Sequence, residues 1–248
     1  MNKPLTMQFL GQAGYLFEQD GMTVAIDPYL SDSAAASDDR FKRLYPAPIE
    51  PDALRADVYI VTHDHLDHLD PDTIVPYRHR ETTQFVAPRR AARKLISLGM
   101  PEANVHVVDH GDALDLPGVR IEGVFALGTT PDTVDTCGYL LTFDSGTSVY
   151  HTADTSWCQL LSDCAPRADA LLVCINGKFG NLNVHEAAAL TEKVKPRFVF
   201  PNHFDVMALN SEDPRAFAYL IETQGSDSEC VIQKAGEVFT WPEAGESR

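Results

Sequence analysis

The chain has 248 residues, 44% of them hydrophobic, enough for a sizeable core, and no apolar run reaches the ~18 residues of a membrane-spanning helix. Its 36 acidic against 20 basic side chains give a net charge of -16. That field repels a polyanion and leaves few cations to neutralise phosphates, which argues against nucleic acid as a partner. The five cysteines, odd in number and without a CxxC, read as free thiols of a cytoplasmic protein. The broken, polar stretch from Leu5 to Gln12 does not read as a secretory signal.

In chain order, Met7 to Glu18 and Met22 to Ile26 read as two strands joined by a hairpin turn at Asp20-Gly21. Ser31 to Glu50, rich in Ser, Ala, Asp and Pro, reads as a long loop that shapes a site. Ala56 to Thr62 is a buried strand, and Asp70-Pro71-Asp72-Thr73 a helix start with proline in the first turn. A strand at Phe85 to Ala87, a helix over Arg89 to Leu98 stopped by Gly99, a strand at Val105 to Asp109 and a turn at Leu116-Pro117-Gly118 follow, leading into Val119 to Leu127. Arg78, Arg80, Arg89, Arg90, Arg93 and Lys94 crowd one stretch. They read as a solvated helix face, or as a subunit contact or anion anchor.

The second half places strands at Gly138 to Phe143, Ser148 to Tyr150, Leu171 to Ile175 and Phe198 to Phe200. Helices fall over Val184 to Lys195 and Glu212 to Thr223, with closing strands at Cys230 to Ile232 and Val238 to Trp241. Each half runs from hairpin to strand-helix alternation and no linker interrupts them. The expectation is therefore one domain over 1–248, an α/β (α+β) fold packing two sheets between outer helices as a four-layer αββα sandwich.

The segment His63-Asp64-His65-Leu66-Asp67-His68 puts three imidazoles and two carboxylates where a buried strand leaves its sheet. Nitrogen and oxygen donors so mixed suit Zn, Mn or Fe. Asp27, Asp154 and His203 each end a strand further along. Singly each would be a turn residue; together with the histidine segment they supply the missing corners of a cation site.

The HxHxDH spacing, with Asp27, His151-Thr152-Ala153-Asp154-Thr155 and Pro201-Asn202-His203-Phe204-Asp205 following in order, resembles the metallo-β-lactamase superfamily. More narrowly, FLGQAGYLFEQDG, NGKFGNLNVHEAA, DPRAF and FTWP resemble its L-ascorbate-6-phosphate lactonase-like branch, a likeness spanning Gln8 to Pro242. The resemblance implies an αββα sandwich in which His63 and His65 serve a first metal site and Asp67, His68 and His203 a second. Asp154 would bridge them, and Asp27 would steady the histidine loop from behind. It also raises the expectation of a homo-oligomer. One departure is clear. Most of the superfamily carries a further histidine near position 128, where this chain has Gly128, and Asp132 is the nearest candidate replacement. The consequence is a weakened first site, with one ion in practice, or an oxygen-rich site suited to Mn over Zn. Lys178 and His185 are candidates to ligate metal or contact an anionic substrate. His151 reads as structural or facing the substrate.

A divalent ion with an open position lowers the pKa of bound water from ~15.7 toward ~7, supplying metal-bound hydroxide at neutral pH. Asp67 and Asp154 would orient that nucleophile. No GxSxG appears. The expectation is thus a metal-dependent hydrolase with Mn or Zn, one or two ions. Its substrate, by resemblance, is a lactone or ester of a small, in some cases phosphorylated, sugar acid. Alternatives are a phosphodiesterase of the same superfamily and a metal-binding protein without turnover.

Overall fold

The computed structural model describes residues 3–241, so Pro242, the end of the branch resemblance, lies outside the described residues. The first half of the chain forms β1 (Thr6–Gly11), β2 (Gly14–Gln19), β3 (Met22–Ile26), β4 (Val58–Ile60), β5 (Gln84–Ala87) and β6 (Val105–Val107). The second half forms β7 (Ala113–Leu116), β8 (Val119–Phe125), β9 (Cys137–Phe143), β10 (Ser148–His151), β11 (Ala170–Cys174), β12 (Phe198–Asn202), β13 (Glu229–Cys230) and β14 (Val238–Thr240). They make two seven-stranded mixed sheets, ordered β14-β1-β2-β3-β4-β5-β6 and β13-β12-β11-β10-β9-β8-β7. Helices α1 (Pro71–Ile74), α2 (Arg89–Ser97), α3 (Gln159–Cys164), α4 (Val184–Val194) and α5 (Pro214–Thr223) complete the αββα sandwich.

The layers follow from side-chain alternation. Along β3 to β5, Val24, Ile26, Val58, Ile60 and Val86 point into the large core shared with Tyr139, Leu141 and Leu172 of the opposite sheet. Their neighbours Ala25, Tyr59, Phe85 and Ala87 join a second core under Ala91, Ala92 and Leu95 of α2. A strand buried on both faces is apolar throughout rather than alternating, as Val58–Ile60 is. Antiparallel hairpins give way to parallel pairing at β3–β4–β5 and at β10–β11–β12. The carboxyl ends of these parallel strands lie together, where α/β sheets hold their ligands. Asp27, Thr62, Asp154 and His203 all follow such ends.

Two expectations change. The run Met7 to Glu18 is two strands, broken at Gly11–Gly14, because Gly11 (φ 94°) and Gln12 (φ 56°) turn the chain through the left-handed region. β7 and α3 give no sequence signal. β7 is an edge strand of half-exposed residues, and α3 is too short for a periodic apolar face. The basic stretch is the solvated helix face expected: Arg89, Arg90, Arg93 and Lys94 are exposed on α2, with surface pairs from Arg78 to Asp52, Arg89 to Asp109 and Arg90 to Asp64, while Arg80 caps the Val75 and Tyr77 carbonyls. Between positions 31 and 50 there are only 3-10 turns at Ser33–Ala36 and Asp39–Phe41 and a single bridge from Arg43 to Met207. Among the described residues no helix is long and apolar enough to cross a membrane.

Candidate metal centre

Asp27 sits at the hub. Fully buried and in the left-handed region (φ 44°), it accepts from the Thr62 backbone N–H at 2.8 Å and the Thr62 hydroxyl at 2.6 Å. The same carboxylate accepts from His68 Nδ1 at 2.7 Å, which fixes that ring with Nε2 free to coordinate. His68 Nε2 then lies 3.4 Å from Asp154 Oδ1 and 3.8 Å from Asp67 Oδ2. His63 Nδ1 lies 3.0 Å from the Thr62 hydroxyl, and its ring centroid is 4.0 Å from that of His68.

His203 follows β12 in the left-handed region (φ 63°), its backbone N–H donating to the Gln12 carbonyl at 2.7 Å. Its Nε2 is 3.2 Å from Asp154 Oδ2 and 3.4 Å from Asp67 Oδ2. Two further residues, absent from the sequence expectations, steer the carboxylates. Gln12 Nε2 donates to Asp67 Oδ2 at 2.7 Å and lies 3.1 Å from His203 Nε2. Asn181 Nδ2 donates to Asp154 Oδ2 at 2.7 Å. The Gly-Gln-Ala-Gly break in an otherwise apolar run was the available signal for Gln12; nothing local marked Asn181. His151 is structural. Its Nδ1 accepts from the Ala153 N–H at 3.0 Å, so Nε2 carries the proton and donates to the Ala13 carbonyl at 2.9 Å. It ties the Gln12 turn to the Asp154 turn.

The electrostatics of the cluster favour positive charge at its centre. Burial pushes His63 down to about 3, with the neighbouring His68 adding to the effect. Burial would also depress His68, but Asp154, Asp67 and Asp27 outweigh it and hold His68 well above the ordinary imidazole range. His203 is raised to about 9 against its own burial, chiefly by Asp154. Burial would raise Asp67 and Asp154, yet His68 and His203 keep both below the usual carboxylate range. Buried carboxylates here draw protons onto the histidines because positive charge is needed. Moreover, His63 Nε2, His68 Nε2 and Asp154 Oδ1 are buried with no hydrogen-bond partner. Each such orphan costs ~1–3 kcal/mol unless something else satisfies it. Donor atoms of His63, His68 and Asp154, and of Asp67, His68 and His203, form two groups within 4.8 Å. These residues fit a divalent ion.

Residues 6–203 match the family model described as the Beta-lactamase superfamily domain. The UPF0173 metal-dependent hydrolase of Thermococcus onnurineus is 30% identical over 94% of this chain and 98% of its own length. The chain belongs to the metallo-β-lactamase superfamily. A second metal-dependent hydrolase, from Hyperthermus butylicus, is 27% identical over 94% of this chain and 98% of its own. Among solved structures, the metallo hydrolase Igni18 of Ignicoccus hospitalis superposes with a TM-score of 0.74 at 22% identity, covering 98% of this chain and 100% of that one. These relatives place the chain with the superfamily's metal-dependent hydrolases; the lactonase-like branch is a finer assignment that they do not carry.

Against the superfamily pattern, the structure explains the glycine at 128. A Cβ there would fall 2.2 Å from the Thr133 carbonyl oxygen, so no side chain fits. His65 stands outside both donor groups, half-buried, with its ring 4.7 Å from that of His63 and its Nε2 3.6 Å from Asp132 Oδ1. Asp132 is exposed and held by the Thr130 hydroxyl, which lowers its pKa. Arg90 fastens this rim to the histidine loop, donating to Asp64 at 2.9 Å and to the Asp132 carbonyl at 2.6 Å. Lys178 does not reach the centre; its ammonium donates to the Ser211 carbonyl. His185 is an exposed first-turn residue of α4, its backbone N–H capped by Asn183.

A cavity of 350 Å³ opens over the donors, with Asp67 and Asp154 in its wall and His65 and Asp132 at its rim. A larger one of 820 Å³ lies behind Phe204, and none of the clustered donors lines it. Chemistry rather than size marks the smaller as the candidate substrate site.

Proposed function

We propose that this single domain is a hydrolase of lactones or simple esters. Asp67, His68 and His203 would hold one divalent ion, Mn or Zn, His63 and His65 would serve a second, and Asp154 would be shared between them. The observation that carries the reading is the set of buried, unpartnered donors, His63 Nε2, His68 Nε2 and Asp154 Oδ1, beneath an open cavity. A bound divalent ion polarises the substrate carbonyl and lowers the pKa of water.

The chain's own residues do the rest. Asp67 and Asp154 stay ionised, so both accept hydrogen bonds from water in the cavity and orient it toward the carbonyl. Gln12 holds Asp67 by Oδ2, the oxygen that faces His68 and His203, and Asn181 holds Asp154 by Oδ2, leaving its Oδ1 toward His68. Asp27 keeps His68 in the tautomer that presents Nε2. A lactone or ester suits this arrangement because its hydrolysis needs one activated water and one polarised oxygen, and the likeness to the lactonase branch along the Gln12, Asp154 and Asn181 segments supports it. The side-chain-free position at Gly128 favours a second reading, in which one ion is held without turnover.

The test is metal analysis of the purified chain followed by a panel of lactones, carboxylic esters and phosphodiesters, with His68→Ala alongside. Stoichiometric Mn or Zn and lactone hydrolysis abolished by His68→Ala are expected. Metal without hydrolysis would establish the second reading, and no metal would overturn both.

A further inference from the structure

The walls of the 350 Å³ cavity define what can enter it. Phe41, from the loop between β3 and β4, and Phe179, from the loop between β11 and α4, both line it and pack against each other as one aromatic wall, with ring centroids 5.7 Å apart. Phe41 rests on the small apolar cluster of Tyr29, Ala34, Val206 and Met207, which gives it a fixed seat. Phe179 is 50% exposed and takes a left-handed backbone (φ 53°), unfavourable for a bulky residue. Gly177 and Gly180, both at positive φ, hold the turn: at Gly180 (φ 90°) a Cβ would fall 2.7 Å from the Thr129 carbonyl. A strained, solvent-facing aromatic at a cavity mouth is placed where it can contact a ligand.

The charges lining the same space are of one sign. Asp67, Asp132 and Asp154 line it, and no lysine or arginine among the described residues does. Lys178 is turned away to Ser211, and Arg90 is bound to Asp64 and the Asp132 carbonyl. Even two divalent ions, with four positive charges, are met by the four carboxylates of Asp27, Asp67, Asp132 and Asp154. No excess positive charge is left to favour a phosphate or a free carboxylate, and the net charge of -16 repels both on approach. Volume adds a limit, since 350 Å³ lies near the lower end of ligand sites.

We infer that the site selects compact, uncharged lactones or esters whose apolar group seats against Phe41 and Phe179, and that it rejects phosphorylated sugar acids. This rests on the lactone and ester reading above and deepens it.

The experiment compares matched neutral and phosphorylated γ-lactones as substrates of the metal-loaded chain. Calorimetry follows binding of the corresponding non-hydrolysable lactams to loaded and metal-depleted protein. The neutral lactone is expected to show at least a tenfold higher kcat/KM, and the neutral lactam at least tenfold tighter binding, in both metal states. Phe179→Ala and Phe41→Ala each raise KM and the lactam Kd about fivefold or more with metal content unchanged. Ser37→Lys, which adds a cation to the cavity wall, narrows the neutral preference at least tenfold. Hydrolysis or binding that favours the phosphorylated partner, or phenylalanine variants that leave Kd unchanged, overturns the inference while leaving lactone hydrolysis standing. Absence of all hydrolysis overturns the lactone reading, and lactam binding then still decides what the cavity selects.

Discussion

Gln12 holds Asp67 by a 2.7 Å hydrogen bond across 55 residues of chain, while its backbone carbonyl accepts from the His203 N–H. One turn residue thereby fixes two candidate ligands from opposite sheets. Gln12→Met keeps the volume and removes the donor. Metal affinity is expected to fall ~10–100-fold, as when other outer hydrogen bonds to ligands are lost. Unfolding free energy should drop by only ~0.5–1.5 kcal/mol, the net worth of an ordinary hydrogen bond. Chelator competition and denaturant unfolding check the two numbers. Unchanged affinity with a large stability loss would assign Gln12 to the fold alone.

Asp27→Asn tests the hub by changing a proton rather than a shape. An asparagine oxygen still accepts from Thr62, but its amide then faces His68 Nδ1, which must become an acceptor. The His68 proton moves to Nε2, the atom needed for the ion. Metal affinity is expected to fall ~10–100-fold, and a nitrogen NMR spectrum of the ring should report the exchanged tautomer. Wild-type affinity in this variant sinks the role given to Asp27.

How much of this was legible beforehand depends on range. His63, His68, Asp154 and His203 follow strands, and short apolar runs ending in polar residues are visible in one dimension. The two-sheet architecture was visible too, because Val58–Ile60 and Ala170–Cys174 are buried on both faces and read as continuous apolar runs. The Gln12 turn is marked only by the brief Gly-Gln-Ala-Gly break, which signals a turn but not that the Gln12 side chain reaches Asp67 across 55 residues. Asn181 acquires its role only when β11 and β10 pair in parallel. Lys178 looked available in sequence, and only the approach of Ser211 shows it engaged.

At position 128 the missing histidine invites repair, and the backbone forbids it. Gly128→His would place a Cβ 2.2 Å from the Thr133 carbonyl oxygen, a clash that no rotamer relieves. Gly128→Ala alone should destabilise by ~1–3 kcal/mol, as overpacking does. The histidine variant should unfold at a lower temperature still and bind no additional ion. A rise in metal stoichiometry for Gly128→His would show that the 129–135 segment yields, contrary to expectation.

Removing metal should make stability depend on alkaline pH. In the metal-free chain His203 is raised to about 9, so it holds its proton more tightly folded than unfolded. A group raised in this way contributes fully below its unfolded value of ~6.5 and loses that contribution as pH climbs through about 9. His68, raised well above its ordinary value, acts in the same direction. His63, lowered to about 3, acts oppositely, but only on the acid side, where its contribution fades as pH falls below ~6.5. Between about pH 7 and 9.5 the metal-free unfolding free energy should therefore decline by on the order of a few kcal/mol. With Mn or Zn bound, the imidazoles are already unprotonated ligands, so this decline should largely vanish and the whole curve should rise with metal concentration. Denaturant unfolding across that range, with chelator and with excess metal, makes the comparison directly. Equal slopes in the two series would mean that His68 and His203 hold no ion.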